Sequence, residues 1–395
     1  MSQSSGEPLR ALYQLHAPVK DYAWGSTTLL AEFTGTEPSD SPQAELWFGT
    51  HPTTPTRLDD GRALADIADL PYLVKLLAAE QPLSIQAHPP AEHARVGFEA
   101  ENAAGIPLDH PERTYKDPNH KPEMLVALSD FTAMAGFRDP TASAQTFDHL
   151  AQLVTDRALA GTLATMADEL AAGKIQPVFA KLIDPAGPFW RPHGPTRDIF
   201  ASVAASDTTD RYLRNALSAA TIHQDDPGAL VALLMHLIEL TPGEALFVPN
   251  GTIHAYVSGL GLEVMATSDN VIRGGLTVKH IDVPELERVV SYEPAPPPLI
   301  TPSVRTIDDV TVTRFTPPVT DFALTRYDLP PHTDLTITAV TPHVAVGTAG
   351  HGTLSCGEQT FELTPGTGLF APGHGGSLEL AATETPVTVF IASHA

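Results

Sequence analysis

One ten-residue unit occurs twice in this chain, and it restricts the available folds more than any other feature. Leu240-Thr-Pro-Gly-Glu-Ala-Leu-Phe-Val-Pro249 returns as Leu363-Thr-Pro-Gly-Thr-Gly-Leu-Phe-Ala-Pro372. A Pro-Gly turn, a short apolar strand and a second Pro-closed turn form a hairpin-like unit of antiparallel barrels. Its recurrence predicts two related barrels, the second near the C-terminus. The copies then diverge: the first runs on to His254, whereas the matching position in the second is Ser377. A metal that needs His254 is therefore expected in the first barrel only.

Between the two units the pattern changes. Asp139-Pro140 is a helix start, with Asp as cap and Pro in the first turn. Phe147, Leu150 and Val154 follow at helical spacing, and Leu159, Leu163, Met166 and Leu170 form a second stripe. Asp226-Pro227 predicts a third helix carrying Leu230, Leu233, Leu234 and Leu237. These stripes read as core packing. The expected organisation is mainly β: two jelly-roll barrels with an inserted helical domain. A metal-binding barrel is expected over 1–138 and 239–290, helices over 139–238, and a second barrel without metal over 291–395. The stretch 330–395, rich in Thr, Val and Gly, shows no reactive group and is expected to be structural.

Charge excludes some partners. Asp and Glu total 47 against 23 Lys and Arg, a net charge of −24, which argues against nucleic acid or an anionic membrane. No apolar run approaches the roughly 20 residues that span a bilayer. Residues 1–9 are polar and lack the basic and apolar segments of a secretory signal. The single cysteine, Cys356, has no internal disulfide partner, so a reducing, cytoplasmic setting is expected. Only seven lysines occur, yet Lys75, Lys116, Lys121 and Lys279 fall in or beside the reactive segments below. An anionic substrate would need such local positive charge.

Four segments carry chemistry. In Leu83-Ser-Ile-Gln-Ala-His-Pro-Pro90, read as a strand, Ser84, Gln86 and His88 share a face. A polar face in water is the ordinary explanation; convergence of Gln86 and His88 on one metal ion is the functional one. In Tyr115-Lys-Asp-Pro-Asn-His-Lys-Pro-Glu-Met124, Lys121 and Glu123 share a face at the entrance to an apolar strand, where buried charges need partners or a metal. In Val248-Pro-Asn-Gly-Thr-Ile-His-Ala-Tyr256, His254 and Tyr256 share a face. Gln86, His88, Glu123 and His254 together make a nitrogen and oxygen set suited to zinc or another first-row divalent ion. From Gly261 to Lys279, Glu263, Met265, Thr267 and Asp269 share parity, and Arg273 precedes Gly274-Gly275. Arg273 and Lys279 are either a solvated loop or a phosphate grip, for which Arg fork geometry is suited.

These segments, in this order, resemble the type I phosphomannose isomerases of the cupin superfamily. Tyr22-Ala-Trp-Gly25 and Ala44-Glu-Leu-Trp-Phe-Gly-Thr-His-Pro52 resemble the same family, and the likeness covers most of 20–282. The resemblance implies zinc, one ion per chain, on Gln86, His88, Glu123 and His254, with Arg273 catalytic. It places Lys75, Ser84, Lys121 and Lys279 near the substrate or its phosphate, and Tyr256, Glu263, Asp269 and Trp24 along the site. It implies an aldose–ketose isomerase of mannose metabolism that interconverts D-mannose 6-phosphate and D-fructose 6-phosphate through a cis-enediolate. The proton-transfer group stays open among Glu263, Asp269, Lys121 and water activated by the metal. The expected partner is a small sugar phosphate, and the expected state is a monomer.

Three rival readings make different predictions. A cupin that binds a sugar phosphate without turnover would leave Arg273 without a task. An iron-dependent oxygenase would consume oxygen and would not explain the cationic residues. An enzyme that also handles nucleotide sugars would want a phosphate-cradling loop of the G-x-x-x-x-G-K type, which is absent.

Overall fold

The structure is a computed structural model that describes residues 10–190, 194–373 and 376–395. The polar segment 1–9, read above for its lack of a signal, lies outside them. Among the described residues the strands form sheets of eleven, eight and four, mainly β as expected. The two copies of the repeated unit build the same local structure. Gly243 and Gly366 both take positive φ, 95° and 86°. Glu244 accepts from the Thr241 amide, and Thr367 from the Thr364 amide, at 2.8 and 3.2 Å. A four-residue strand follows each turn, Ala245–Val248 and Gly368–Ala371.

The eleven-stranded sheet is organised by one long strand, His254–Ala266. Its second half pairs with Tyr72–Ala79 on one side and Glu123–Ala127 on the other. Its first half turns instead to Ile85–Ala87 and Phe131–Phe137. A register shift between Tyr256 and Ser258 marks the change. Gly259 lies just beyond it, with φ of 115°. A Cβ there would meet the carbonyl oxygen of Asp130 at 2.5 Å, so only glycine permits this close crossing. The bulge matters for the site. It reverses parity, so odd-numbered Glu263 joins the interior face shared by even-numbered His254 and Tyr256.

The chain's first strand, Tyr13–His16, pairs with Gly368–Ala371. It thereby joins, with Arg57–Leu58 at the edge beyond it, the eight-stranded sheet built mainly from the last hundred residues, an exchange that a segment-by-segment reading of the sequence does not anticipate. Asp139 caps as expected, accepting from the Ala142 amide before Pro140–Leu153, and Asp156, not foreseen, caps Arg157–Ala171. Further helices at Ile175–Ile183, Pro195–Ala204 and Arg211–Ile222 complete a shared apolar core with them.

The third predicted helix needs correction. After Asp226-Pro227 the chain makes only a short helix, Gly228–Val231, and a 3-10 turn through Leu234. Met235–Leu240, including Leu237, is a strand paired with Phe131–Phe137. Leu230, Leu233 and Leu234 are buried as expected, but an available strand partner overrides the helical spacing of Leu237. None of the described helices is long and apolar enough to cross a membrane.

Candidate metal centre

Gln86 lies in one cross-strand row with His254 on one side and Arg273 on the other. Such neighbours bring side chains on one face within reach of each other. His88 follows two residues after Gln86, and Glu123 opens the strand that enters the core. His88 Nε2 is 3.2 Å from Glu123 Oε1, and His254 Nε2 is 3.3 Å from Glu123 Oε2. The three side chains are buried, and their ligand atoms lie within 4.8 Å of one another. Gln86 Nε2 sits 3.4 Å from His254 Nε2; a half-turn of the amide presents its oxygen instead.

The donor set fits a divalent metal, and its hydrogen bonds show why. His88 Nδ1 lies 2.7 Å from the Asn270 carbonyl oxygen, and His254 Nδ1 lies 2.9 Å from that of Thr252. Each carbonyl requires a proton on Nδ1, which leaves a lone pair on Nε2 facing its partner ligands. His88 Nε2 and Glu123 Oε2 are buried without a hydrogen-bond partner. Burial, with Lys121 nearby, pushes the His88 imidazole down to about 4, so it is neutral at pH 7. Burial also works to raise the Glu123 carboxyl. Lys121 and the two histidines outweigh it and hold the group well below the usual carboxylate range. Neutral imidazoles and an ionised carboxylate are the states that ligate zinc.

Asn270 ties this centre to the loop beside it. It is fully buried; its side-chain oxygen accepts from the Lys116 amide at 2.8 Å, and its nitrogen donates to the Asp117 and Asn119 carbonyls at 2.8 Å. Asn270→Ala would free the loop and loosen the carbonyl that orients His88. Loss of such outer support is expected to weaken zinc affinity about 10–100-fold, read by competition with a chromogenic chelator; unchanged affinity would leave the residue a merely structural role.

The other expected residues divide into two settings. Lys75 lies inside the sheet, 3.0 Å from Glu263 and 3.5 Å from Glu45, its charge balanced by two carboxylates. Lys121 is likewise held by Glu123 at 2.6 Å. Tyr256 is buried beside Glu263 with its hydroxyl unpartnered. Arg273 and Lys279 stand towards solvent; burial and Arg273 lower the Lys279 ammonium, and Arg273 also bears on Lys116. Asp269 is 41% exposed and 3.2 Å from His51 Nε2. Trp24 stacks with Tyr22 at 5.7 Å and, with Leu83, packs against the buried cluster that holds Tyr256. Ser84 is half-buried just before the Gln86 strand.

Four residues here carried no assigned role in the sequence: Glu45, His51, Tyr22 and Asn270. All lie within or beside the motifs quoted above, which was the available signal. His51 is 2% exposed and accepts or donates at 3.0 Å with Thr53 Oγ1 through Nδ1. Its other nitrogen reaches Asp269, which is thereby lowered against the opposing effect of burial.

Known proteins agree with this geometry. A sequence model of the phosphomannose isomerase type I catalytic domain matches residues 12–70 and 64–140. The mannose-6-phosphate isomerase of Escherichia coli (strain K12) is 37% identical, covering 94% of this chain and 95% of its own. The human mannose-6-phosphate isomerase is 32% identical over 81% of this chain and 82% of its own. A crystal structure of mannose 6-phosphate isomerase with zinc bound superposes with a TM-score of 0.83, 33% identity, and coverage of 98% of this chain and 100% of that one. The apo form from Salmonella typhimurium gives 0.84 at the same identity and coverage. The chain belongs to the type I phosphomannose isomerases, enzymes of the cupin fold.

Proposed function

We propose that this centre interconverts D-mannose 6-phosphate and D-fructose 6-phosphate, with Gln86, His88, Glu123 and His254 holding one zinc ion. The observation that carries the assignment is the buried His88–Glu123–His254 cluster with its unpartnered acceptor atoms, with Gln86 between His254 and Arg273 in one cross-strand row. As a member of its family the chain is a metal-dependent isomerase, and zinc is the metal. Bound there, zinc supplies Lewis acidity to the sugar oxygens at C1 and C2.

The protein's own groups do the rest. Isomerisation takes a proton from C2 and returns one to C1, through a cis-enediolate whose oxygens gather negative charge. Arg273 makes no ion pair among the described residues and is aligned with Gln86, so its guanidinium is available to that charge. Lys279 and Lys116, with Arg273, form the positive mouth for the phosphate group. Tyr22 and Trp24 wall the sugar, and Ser84 offers a hydroxyl beside Gln86. The candidates for proton transfer are unequal. Lys121 and Glu263 are locked in buried ion pairs. Asp269 is paired with His51 through Oδ1 alone, and its side chain is 41% exposed. We assign it the proton.

The composition supports further expectations. The net charge of −24 and single cysteine support a cytoplasmic enzyme with a small-molecule partner rather than nucleic acid or membrane. We retain the division into a metal-binding barrel, helices inserted over 139–238 and a second barrel, with Tyr13–His16 assigned to the second.

The assay is formation of fructose 6-phosphate from mannose 6-phosphate by zinc-loaded protein. No product from folded, loaded protein would leave a sugar-phosphate binder in its place. Asp269→Asn is expected to lower kcat about 10²–10⁴-fold, the range for a general base, with KM little changed. Parent-like turnover in that variant would move the proton to Glu263 or Lys121.

A further inference from the structure

Three strands of the eight-stranded sheet, away from the metal centre, carry a group of cationic and hydroxyl side chains that catalysis does not use. Ser303–Ile307, Val310–Phe315 and Ala323–Leu329 run side by side. Their register sets Ser303, Arg314 and Thr325 in one row and Arg305, Val312 and Tyr327 in the next. Residues two apart on each strand share a face, and these six line a cavity of about 300 Å³. The two guanidiniums occupy diagonal corners around Val312.

That arrangement is unexpected on general grounds. Two arginines share one face as diagonal neighbours, in a chain that has twice as many acidic as basic residues. Most of its other arginines found carboxylates; Arg305 and Arg314 make no ion pair among the described residues. Among the described residues no carboxylate lines the cavity. The half-buried Tyr327 phenol is raised by burial, with both guanidiniums acting in the opposite direction.

We propose that this plate is a second anion site, which binds the phosphate group of a phosphate monoester. A dianion balances two guanidiniums where a single carboxylate leaves one unbalanced. Phosphate oxygens accept from planar Arg forks, and the Ser303, Thr325 and Tyr327 hydroxyls are further donors. Val312 and the Tyr327 ring supply an apolar floor for the ester group. No residue of the metal centre takes part, and the site stands whether or not the proton assignment above is right.

Methyl signals of valine test it in the zinc-loaded, full-length protein. Val312 lies in the plate and Val304 borders the cavity between Ser303 and Arg305, whereas Val271 lies two residues from Arg273 at the catalytic mouth. Inorganic phosphate is the probe. The Val312 and Val304 methyls are expected to shift saturably in the millimolar range or below, and not with sodium chloride at equal ionic strength. Arg305→Ala/Arg314→Ala, at exposed positions, is expected to weaken that titration at least about tenfold and leave mannose 6-phosphate turnover unchanged. Arg273→Ala is expected to leave the Val312 response in place. The proposal is overturned if phosphate leaves Val312 unmoved, if chloride moves it equally, or if the double variant titrates like the parent.

Discussion

Glu123→Gln is expected to empty the zinc site and lower kcat by roughly 10³-fold or more, since Lewis-acid stabilisation is worth several kcal/mol and each 1.36 kcal/mol is tenfold. The substitution keeps shape and removes charge. Each oxygen of the carboxylate faces an imidazole nitrogen, one that of His88 and the other that of His254, so a neutral amide loses the anionic ligand and turns an N–H towards an imidazole lone pair. It also removes the counter-charge of Lys121, which is 7% exposed and 2.6 Å from Glu123. Breaking a buried pair at one end typically costs about 3–5 kcal/mol. His254→Ala separates the two effects: it removes a ligand but leaves the Lys121–Glu123 pair. Both variants should therefore lose zinc, while only Glu123→Gln shows the larger fall in metal-free stability. Zinc stoichiometry by atomic emission and urea unfolding measure the two quantities. A Glu123→Gln protein that keeps one zinc per chain and parent turnover would remove Glu123 from the metal site.

Local parity put Gln86 with His88 and Lys121 with Glu123, and the structure gathers His88, Glu123 and His254 in one buried cluster. Parity failed where the backbone is irregular. Glu263 reaches the face of His254 and Tyr256 only through the bulge at Tyr256–Ser258, and a one-residue bulge leaves little trace in a sequence beyond a glycine such as Gly259. Glu45 and His51 acquire their tasks from partners far along the chain, Lys75 and Asp269, so no local pattern marks them. Leu237 shows the opposite limit: its spacing is helical, but Phe131–Phe137 offers a strand partner. The pairing of Tyr13–His16 with Gly368–Ala371 is similarly long-range. The repeated Pro-Gly unit was legible because turn chemistry is local: both glycines take the left-handed conformation that the motif requires.

Lys75→Met is expected to destabilise the protein by about 3–5 kcal/mol, as for a buried pair broken at one end, and to give it a new pH dependence. Lys75 is 6% exposed between Glu263 and Glu45, at 2% and 4%. The pair is not symmetric. Burial opposes the Lys75 ammonium, but the surrounding carboxylates outweigh it and raise the group above its ordinary value. Its stabilisation is thus fully present below about pH 10.4, the unfolded value, and fades only as pH rises through the higher folded one. Glu263 is raised as well, first by burial, with Glu123 and Glu45 adding to it against Lys75. Without Lys75 its carboxyl rises further, so the folded variant binds a proton that the unfolded chain releases near pH 4.3. When the folded state holds more protons, stability falls as pH rises. Metal-free Lys75→Met should therefore be more stable at pH 5.5 than at pH 8, relative to metal-free parent protein at the same two values. Lys75→Met/Glu263→Gln removes the stranded charge and should recover much of the loss and abolish the added slope. Urea unfolding of the three proteins at both pH values measures this. A single variant within about 0.5 kcal/mol of the parent, the range of ordinary surface substitutions, would mean that Lys75 does not hold the carboxylates in place. The row behind the metal would then have to be kept in register by the strand pairing of Lys75 with Glu263 alone.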